Sequence, residues 1–157
     1  MDFGFFPHVT RSNTTSQNAL FLLKKYNHNL SETEIFYITR AYQTRHGEGP
    51  MTNKSQAILL QNNTLETNQY NAHQGNFRTS VLDADLLNYA LKCDSNFSYG
   101  LRKNLVVTCV DQIENQQIPF SKGTVLDTVN YKDFPDVLDC KFEKCLFSFG
   151  DCADFIV

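Results

Sequence analysis

Two arginines, Arg40 and Arg45, flank the end of an apolar run that gives way to a glycine-spaced loop. Residues 35–42 are mostly β-branched or aromatic, which favours a strand, and Gly47 and Gly49 then allow the backbone to approach a ligand closely. Guanidinium groups bind carboxylate and phosphate oxygens through paired hydrogen bonds. The pattern therefore predicts either an anion-binding site at the end of a strand or an ordinary loop with solvated arginines.

Residues 9–15 and 41–50 resemble two signatures of the adenylosuccinate synthetase family. The first reads V-T-R-S-N-T-T, against V-T-S-S-N-T-T beside the nucleotide phosphate in that family, so Arg11 is a departure. The second reads A-Y-Q-T-R-H-G-E-G-P and fits the family's A-Y-x-T-R-x-G-x-G-P at every position. Two such matches in the right order are difficult to obtain by chance.

Three weaker resemblances follow in the order that the family has. Residues 75–83 are similar to the arginine loop and helix start that hold L-aspartate, although only Arg78 is clearly retained. Asp111 stands where the family's T-K-L-D strand end places the carboxylate that reads a guanine ring, with Cys109 in place of the lysine. Residues 148–151 resemble the S-x-G-P turn that packs against the same base, without its proline.

The resemblance implies roles for eight residues. The substrate-binding residues would be Thr10, Arg45, His46, Gly47 and Arg78. Thr10 would lie near the nucleotide phosphate, the histidine and glycine near its ribose, and Arg78 at the aspartate carboxylate. Those that would frame the purine of a nucleoside triphosphate are Asp111, Ser148 and Gly150.

The implied fold is α/β, the C-terminal half of the P-loop-like adenylosuccinate synthetase fold, with a mixed or parallel sheet, flanking helices and long loops. Residues 1–157 would then form a single partial domain. No stretch matches the family's G-D-E-G-K-G phosphate loop or its G-G-x-N-A-G-H-T segment. In the family these supply the catalytic base, a magnesium ligand and the histidine acid.

A complete enzyme of this kind would join IMP to L-aspartate with hydrolysis of GTP, using Mg²⁺, through a 6-phosphoryl intermediate. A phage-type relative acts on dGMP with ATP. Because the reaction needs a positioned base and a cationic phosphate cradle, the catalytic role of this chain alone stays open. The alternatives are half of a synthetase whose N-terminal half lies on a separate chain, and a non-catalytic truncated module that binds a nucleotide or a partner. An exposed sheet edge also predicts a homo-oligomer.

Composition narrows the class of protein without choosing a function. The 157 residues, 41% of them hydrophobic, suit one domain with a buried core. The net charge of −3 argues against a nucleic-acid partner. The sequence has no apolar run long enough for a membrane span and no signal pattern, which predicts a cytoplasmic protein. Five cysteines without a CxxC pair predict reduced thiols, and four histidines show no metal-ligand spacing.

The predicted elements follow from periodicity and breakers. Asp83 is a suitable N-cap for a helix through Lys92, and Arg78 lies just before it, where it could help to bind a carboxylate or could pair with Asp83 or Asp85. A capping-box pattern at Ser31 competes with a strand from residue 35, and we prefer the strand. The remaining predictions are a helix over 16–26, a long loop over 51–80 with a hairpin near 57–60, a buried parallel strand over 105–109, a hairpin within 117–139 and a last strand within 141–149.

Overall fold

The structure is a computed structural model that describes residues 13–61, 70, 72–73 and 75–157. Thr10, one of the predicted substrate-binding residues, lies outside the described residues. The helices are α1 (Gln17–Lys25) and α2 (Ala84–Ser95). The strands are β1 (Glu34–Arg40), β2 (Gln43–His46), β3 (Phe77–Ser80), β4 (Leu82–Asp83), β5 (Arg102–Thr108), β6 (Gln117–Lys122), β7 (Val125–Asn130) and β8 (Lys144–Phe147). Within this part of the chain, no helix is long and apolar enough to cross a membrane.

A parallel three-stranded sheet with the order β1-β5-β8 forms the centre of the fold. Leu105, Val107 and Phe147 on one of its faces are buried and join the main hydrophobic core, against which Leu87 and Leu91 of α2 also pack. This confirms the predicted buried parallel strand and the α/β class with a parallel sheet and helices. The preference for a strand from residue 35 is also confirmed, because the described residues between α1 and β1 form a 3-10 turn (Leu30–Glu32) and not an α-helix.

β1 ends earlier than the predicted strand over residues 35–42. The Ala41 N–H still donates to the Thr108 carbonyl at 2.8 Å, but Ala41 and Tyr42 are both fully buried and the chain then turns away. β2 therefore belongs to a second sheet, in which it pairs with β3 in antiparallel register. Burial of the Tyr42 ring accounts for the bend, because the ring leaves the plane of the parallel sheet to reach the core.

The range predicted as a long loop, 51–80, contains β3 in its last four residues. The hairpin predicted near residues 57–60 is wrong, since no strand is found there. Ile58 and Leu60 instead pack individually against the core, and the Ile58 carbonyl accepts a hydrogen bond from Thr79 Oγ1 at 3.1 Å. Ile58 and Leu60 are thus partly buried by tertiary packing rather than by strand pairing.

A third sheet, β4-β6-β7, contains the predicted hairpin. Pro119 lies in its middle strand, where a residue without an N–H would normally be excluded. The strand β4 pairs only with Phe120 and Ser121, so Pro119 lies beyond the reach of the parallel ladder and faces only Thr128 of β7. The short β4 therefore makes the proline tolerable.

The predicted N-cap of α2 is confirmed, because Asp83 Oδ1 accepts a hydrogen bond from the Leu86 N–H at 2.9 Å. We expect Asp83→Ala to lower the free energy of unfolding by about 1 kcal/mol, since one amide at the helix start loses its acceptor. Urea unfolding monitored by circular dichroism measures the change. Asp83→Asn keeps a capping oxygen and should stay within about 0.5 kcal/mol of the wild type; equal losses in both variants would contradict a capping role.

Candidate functional site

Two arginines face each other across the β2–β3 ladder. Arg45 of β2 is the register partner of Arg78 of β3, and paired residues of antiparallel strands project from the same face. Like charges directly opposite each other destabilise a sheet, by about 0.2–1 kcal/mol for an ordinary pair. An anion bound by both guanidinium groups would offset that repulsion and form charge-assisted hydrogen bonds.

Gly49 lies between the two guanidinium groups, and we call Arg45, Gly49 and Arg78 the arginine cradle. Arg78 Nη2 donates to the Gly49 carbonyl at 3.1 Å, and Arg45 Nε donates to the Glu48 carbonyl at 3.4 Å. Arg78 Nε is buried and has no hydrogen-bond partner among the described residues. A buried donor without an acceptor costs about 1–3 kcal/mol, so this atom is suited to a ligand oxygen.

His46 and Gly47 continue directly from the cradle. Gly47 has φ of +69°, and its N–H donates to the Asn76 carbonyl at 2.9 Å. The loop that precedes β3 approaches closely, because a Cβ built on Gly75 would lie 3.2 Å from Gly47 Cα. The His46 and Phe77 rings lie 5.0 Å apart. The structure therefore brings Arg45, His46, Gly47 and Arg78 together at one end of the β2–β3 ladder.

The alternative pairing of Arg78 with the start of α2 is not what the structure shows. Asp83 is the N-cap of α2, and Asp85 accepts the Gly123 N–H at 2.6 Å through Oδ2. Arg78 instead donates to the Gly49 carbonyl. Its charge is therefore directed to the glycine loop.

The other three predicted residues lie together at the carboxyl edge of the parallel sheet. Asp111 follows β5, and Ser148 and Gly150 follow the neighbouring strand β8. The Val110 N–H donates to the Ser148 carbonyl at 3.0 Å, which joins the turns that follow the two strands. Ser148 Oγ donates to the Gly150 carbonyl at 2.9 Å. This edge is the position at which open α/β sheets bind ligands.

The sequence did not single out Tyr42, which links this edge to β1. Its hydroxyl accepts from Arg40 Nη1 at 3.1 Å and donates to Gln112 Oε1. Burial, and then the Cys109 thiol, raise the pKa of Tyr42 to about 12. The phenol therefore stays protonated and holds Arg40 beside Gln112, the residue after Asp111.

A metal site is not evident in the described part of the chain. No group of three or more His, Cys, Asp and Glu side chains in that part could hold a metal ion. The two side chains of the cradle are cationic hydrogen-bond donors, which suits an anion and not a cation.

Gly49 gives a direct test of the cradle geometry. Its φ is +107°, and a Cβ at this position would lie 2.6 Å from Arg45 Nη2. We expect Gly49→Ala to cost about 1–3 kcal/mol in unfolding free energy and to displace the Arg45 guanidinium, which would weaken carboxylate binding about tenfold. Urea unfolding and calorimetry with L-aspartate measure the two effects.

Gly123→Ala is the matched control, because Gly123 has φ of +61° but nothing lies within 4 Å of its added Cβ. It should lose stability and keep carboxylate binding. If both variants bind L-aspartate as the wild type does, Gly49 has no part in the site.

Comparison with known proteins gives consistent matches. A sequence model of the adenylosuccinate synthetase family matches residues 1–141. An adenylosuccinate synthetase from Koribacter versatilis is 30% identical over 146 residues, which is 92% of this chain and 31% of that protein. Those from Francisella philomiragia (30% identical, 73% of this chain) and Thermoplasma acidophilum (33% identical, 72% of this chain) are each covered over 26% of their length. The chain thus spans about a quarter to a third of the length of these curated relatives.

Proposed function

The chain belongs to the adenylosuccinate synthetase family, and we propose that it forms the C-terminal substrate-binding portion of a purine-biosynthesis ligase. The reaction of the complete enzyme would join a 6-oxopurine nucleotide to L-aspartate with hydrolysis of GTP or ATP. The role of this portion would be to bind and orient the substrates.

The observation that carries the proposal is the arginine cradle. Arg45 and Arg78 are register partners on one face, and the buried Arg78 Nε lacks an acceptor among the described residues. A dicarboxylate such as L-aspartate supplies oxygens for both guanidinium groups. His46 and Gly47, the next two residues of the chain, would contact the ribose of the purine nucleotide, and Thr10 its phosphate.

The carboxyl edge of the parallel sheet would take the base of the nucleoside triphosphate. A carboxylate at Asp111 can accept two N–H groups from one edge of a guanine ring. Ser148 and Gly150 follow the neighbouring strand β8, in the turn that accepts the Val110 N–H. Cys109 in place of the family's lysine leaves the choice between GTP and ATP open, and with it the choice between IMP and the dGMP of the phage type.

The family's Mg²⁺ is a separate question. The described residues do not fit a Mg²⁺ site, since they include no cluster of three or more His, Cys, Asp and Glu side chains. We therefore assign the metal to no residue described here and derive no step through it.

A second candidate function is that of a non-catalytic module that binds a nucleotide or a protein partner. The chain corresponds to 26–31% of the length of these relatives, so the activity of the complete enzyme is a proposal for it. The family's G-D-E-G-K-G loop also has no counterpart in these 157 residues. The two candidates share the binding sites and differ in whether a complementary portion completes the enzyme.

Calorimetric titration of the purified chain with IMP, dGMP, GTP and ATP, with and without Mg²⁺, tests the proposed nucleotide sites. We expect saturable binding of one 6-oxopurine monophosphate and one triphosphate. Asp111→Ala should abolish triphosphate binding and leave the monophosphate unaffected, whereas Arg78→Ala should leave the triphosphate unaffected. A folded chain that binds none of the four nucleotides would contradict the proposal.

A further inference from the structure

The parallel sheet has one apolar face that the described residues leave outside the core. The register of β1, β5 and β8 places Phe36, Ile38, Val106 and Leu146 on the same face, which we call the open face. None of the four belongs to the main core cluster or to the residues packed against it. Phe36 is 44% exposed and Ile38 is 72% exposed.

This exposure is unusual for a parallel sheet. Such sheets occur almost only with both faces covered, usually by helices, and their strands are accordingly apolar on both sides. Here the opposite face is covered, whereas the open face has its four apolar residues at the centre and a polar cluster of Glu34, Asn104 and Lys144 at one end. The open face therefore requires a second covering layer, which the described residues do not provide.

The outer edge of the sheet, at β1, is also left without a neighbour by the described residues. Among the described strands, β1 pairs only with β5, although it is seven residues long and apolar at its centre. A long apolar edge strand readily accepts another strand. A cavity of about 390 Å³, lined by residues of β1 and α2 and by Thr14 and Thr15, lies next to this edge. Apolar volume beside β1 is thus available to an added chain.

The size of the relatives indicates what covers these surfaces. The best-covered relative described above corresponds to this chain over only 31% of its length, so most of its fold has no counterpart here. We propose that the open face and the outer edge of β1 bind the complementary portion of the synthetase fold, with a strand added beside β1 and an apolar helix laid over the open face. This inference rests on the proposed function, because that function identifies the complement.

The test combines this chain with the polypeptide formed by the part of the Koribacter versatilis synthetase that does not align to it. We expect sedimentation velocity to show a one-to-one complex and hydrogen exchange of the β1 amides to slow. Ile38→Asp places a charge on the open face and should weaken association at least about tenfold. Leu59→Asp is the matched control, since Leu59 is 92% exposed and lies outside the strands.

Two results would overturn the inference. A folded chain that forms no complex with the complementary polypeptide would show that these surfaces do not bind it. Self-association that is lost in Ile38→Asp and is not displaced by that polypeptide would show that a second copy of the chain is the occupant. Both experiments are done without nucleotide. A chain that binds nucleotides but forms no complex with the complementary polypeptide would therefore overturn this inference and leave the proposed function intact.

Discussion

L-Aspartate at 100 times its dissociation constant should raise the free energy of unfolding of this chain by about 2.7 kcal/mol, and Arg78→Met should remove that gain. The reason is the arginine cradle, where Arg45 and Arg78 are opposite each other in the register and Arg78 Nε is buried without an acceptor among the described residues. In the proposed site, a carboxylate of L-aspartate would accept hydrogen bonds from both guanidinium groups. Urea unfolding with and without L-aspartate measures the stabilisation in each protein.

The same experiment separates ligand binding from structural support. Without ligand, Arg78→Met should stay within about 1 kcal/mol of the wild type, because relief of charge repulsion offsets the lost hydrogen bond to Gly49. Arg102→Met is the matched control, since Arg102 pairs with Glu34 at 2.9 Å outside the cradle. It should keep the whole effect of L-aspartate. Equal stabilisation of wild type and Arg78→Met would place the carboxylate elsewhere.

Local signals in the sequence predicted the elements that carry the site. The β-branched residues of β5 and the capping aspartate of α2 act over a few residues, so their structures follow from their neighbours in the chain. Gly47 and Gly49 also marked the turn after β2, where both have positive φ. The motif resemblance then identified which of these turns we propose as ligand-binding sites.

Long-range pairing accounts for what the sequence did not predict. Residues 77–80 form a strand only because they meet β2, more than thirty positions earlier, and their polar composition resembled a loop. Tyr42 was interpreted as the end of a strand, yet its burial bends the chain into the second sheet. The opposition of Arg45 and Arg78 is likewise a property of register, which neither segment shows alone.

The contact network around Asp94 is another feature that the sequence did not reveal. Asp94 is 3% exposed and lies in the last turn of α2, an unfavourable position for a negative charge next to the helix dipole. Its Oδ1 accepts the Ser16 N–H at 2.6 Å and the Ser16 hydroxyl at 2.8 Å, and Tyr37 donates to Oδ2. The carboxylate thereby joins α1, β1 and α2, across 78 positions of the chain in the case of Ser16.

Asp94→Asn should therefore lower the free energy of unfolding by about 3 kcal/mol at pH 7, because charge-assisted hydrogen bonds are lost and an amide donor faces other donors. Burial alone would raise the pKa of Asp94, but the hydrogen bonds from Tyr37 and Ser16 outweigh it and lower the pKa below its ordinary value. A lowered folded-state pKa means that the contribution is complete above the unfolded value of about 3.9 and is lost as pH falls through the folded value.

Urea midpoints at pH 7, 5 and 3 should accordingly show a difference between wild type and Asp94→Asn that is nearly constant down to about pH 5 and shrinks at pH 3. Asp139→Asn is the matched control, since Asp139 pairs with Lys122 at 3.0 Å with its side chain 73% exposed. It should cost less than about 1 kcal/mol, because an exposed ion pair is screened by water. A loss at Asp94 that stays the same in acid would mean that the shape of the side chain, and not the charge of the carboxylate, holds α1, β1 and α2 together.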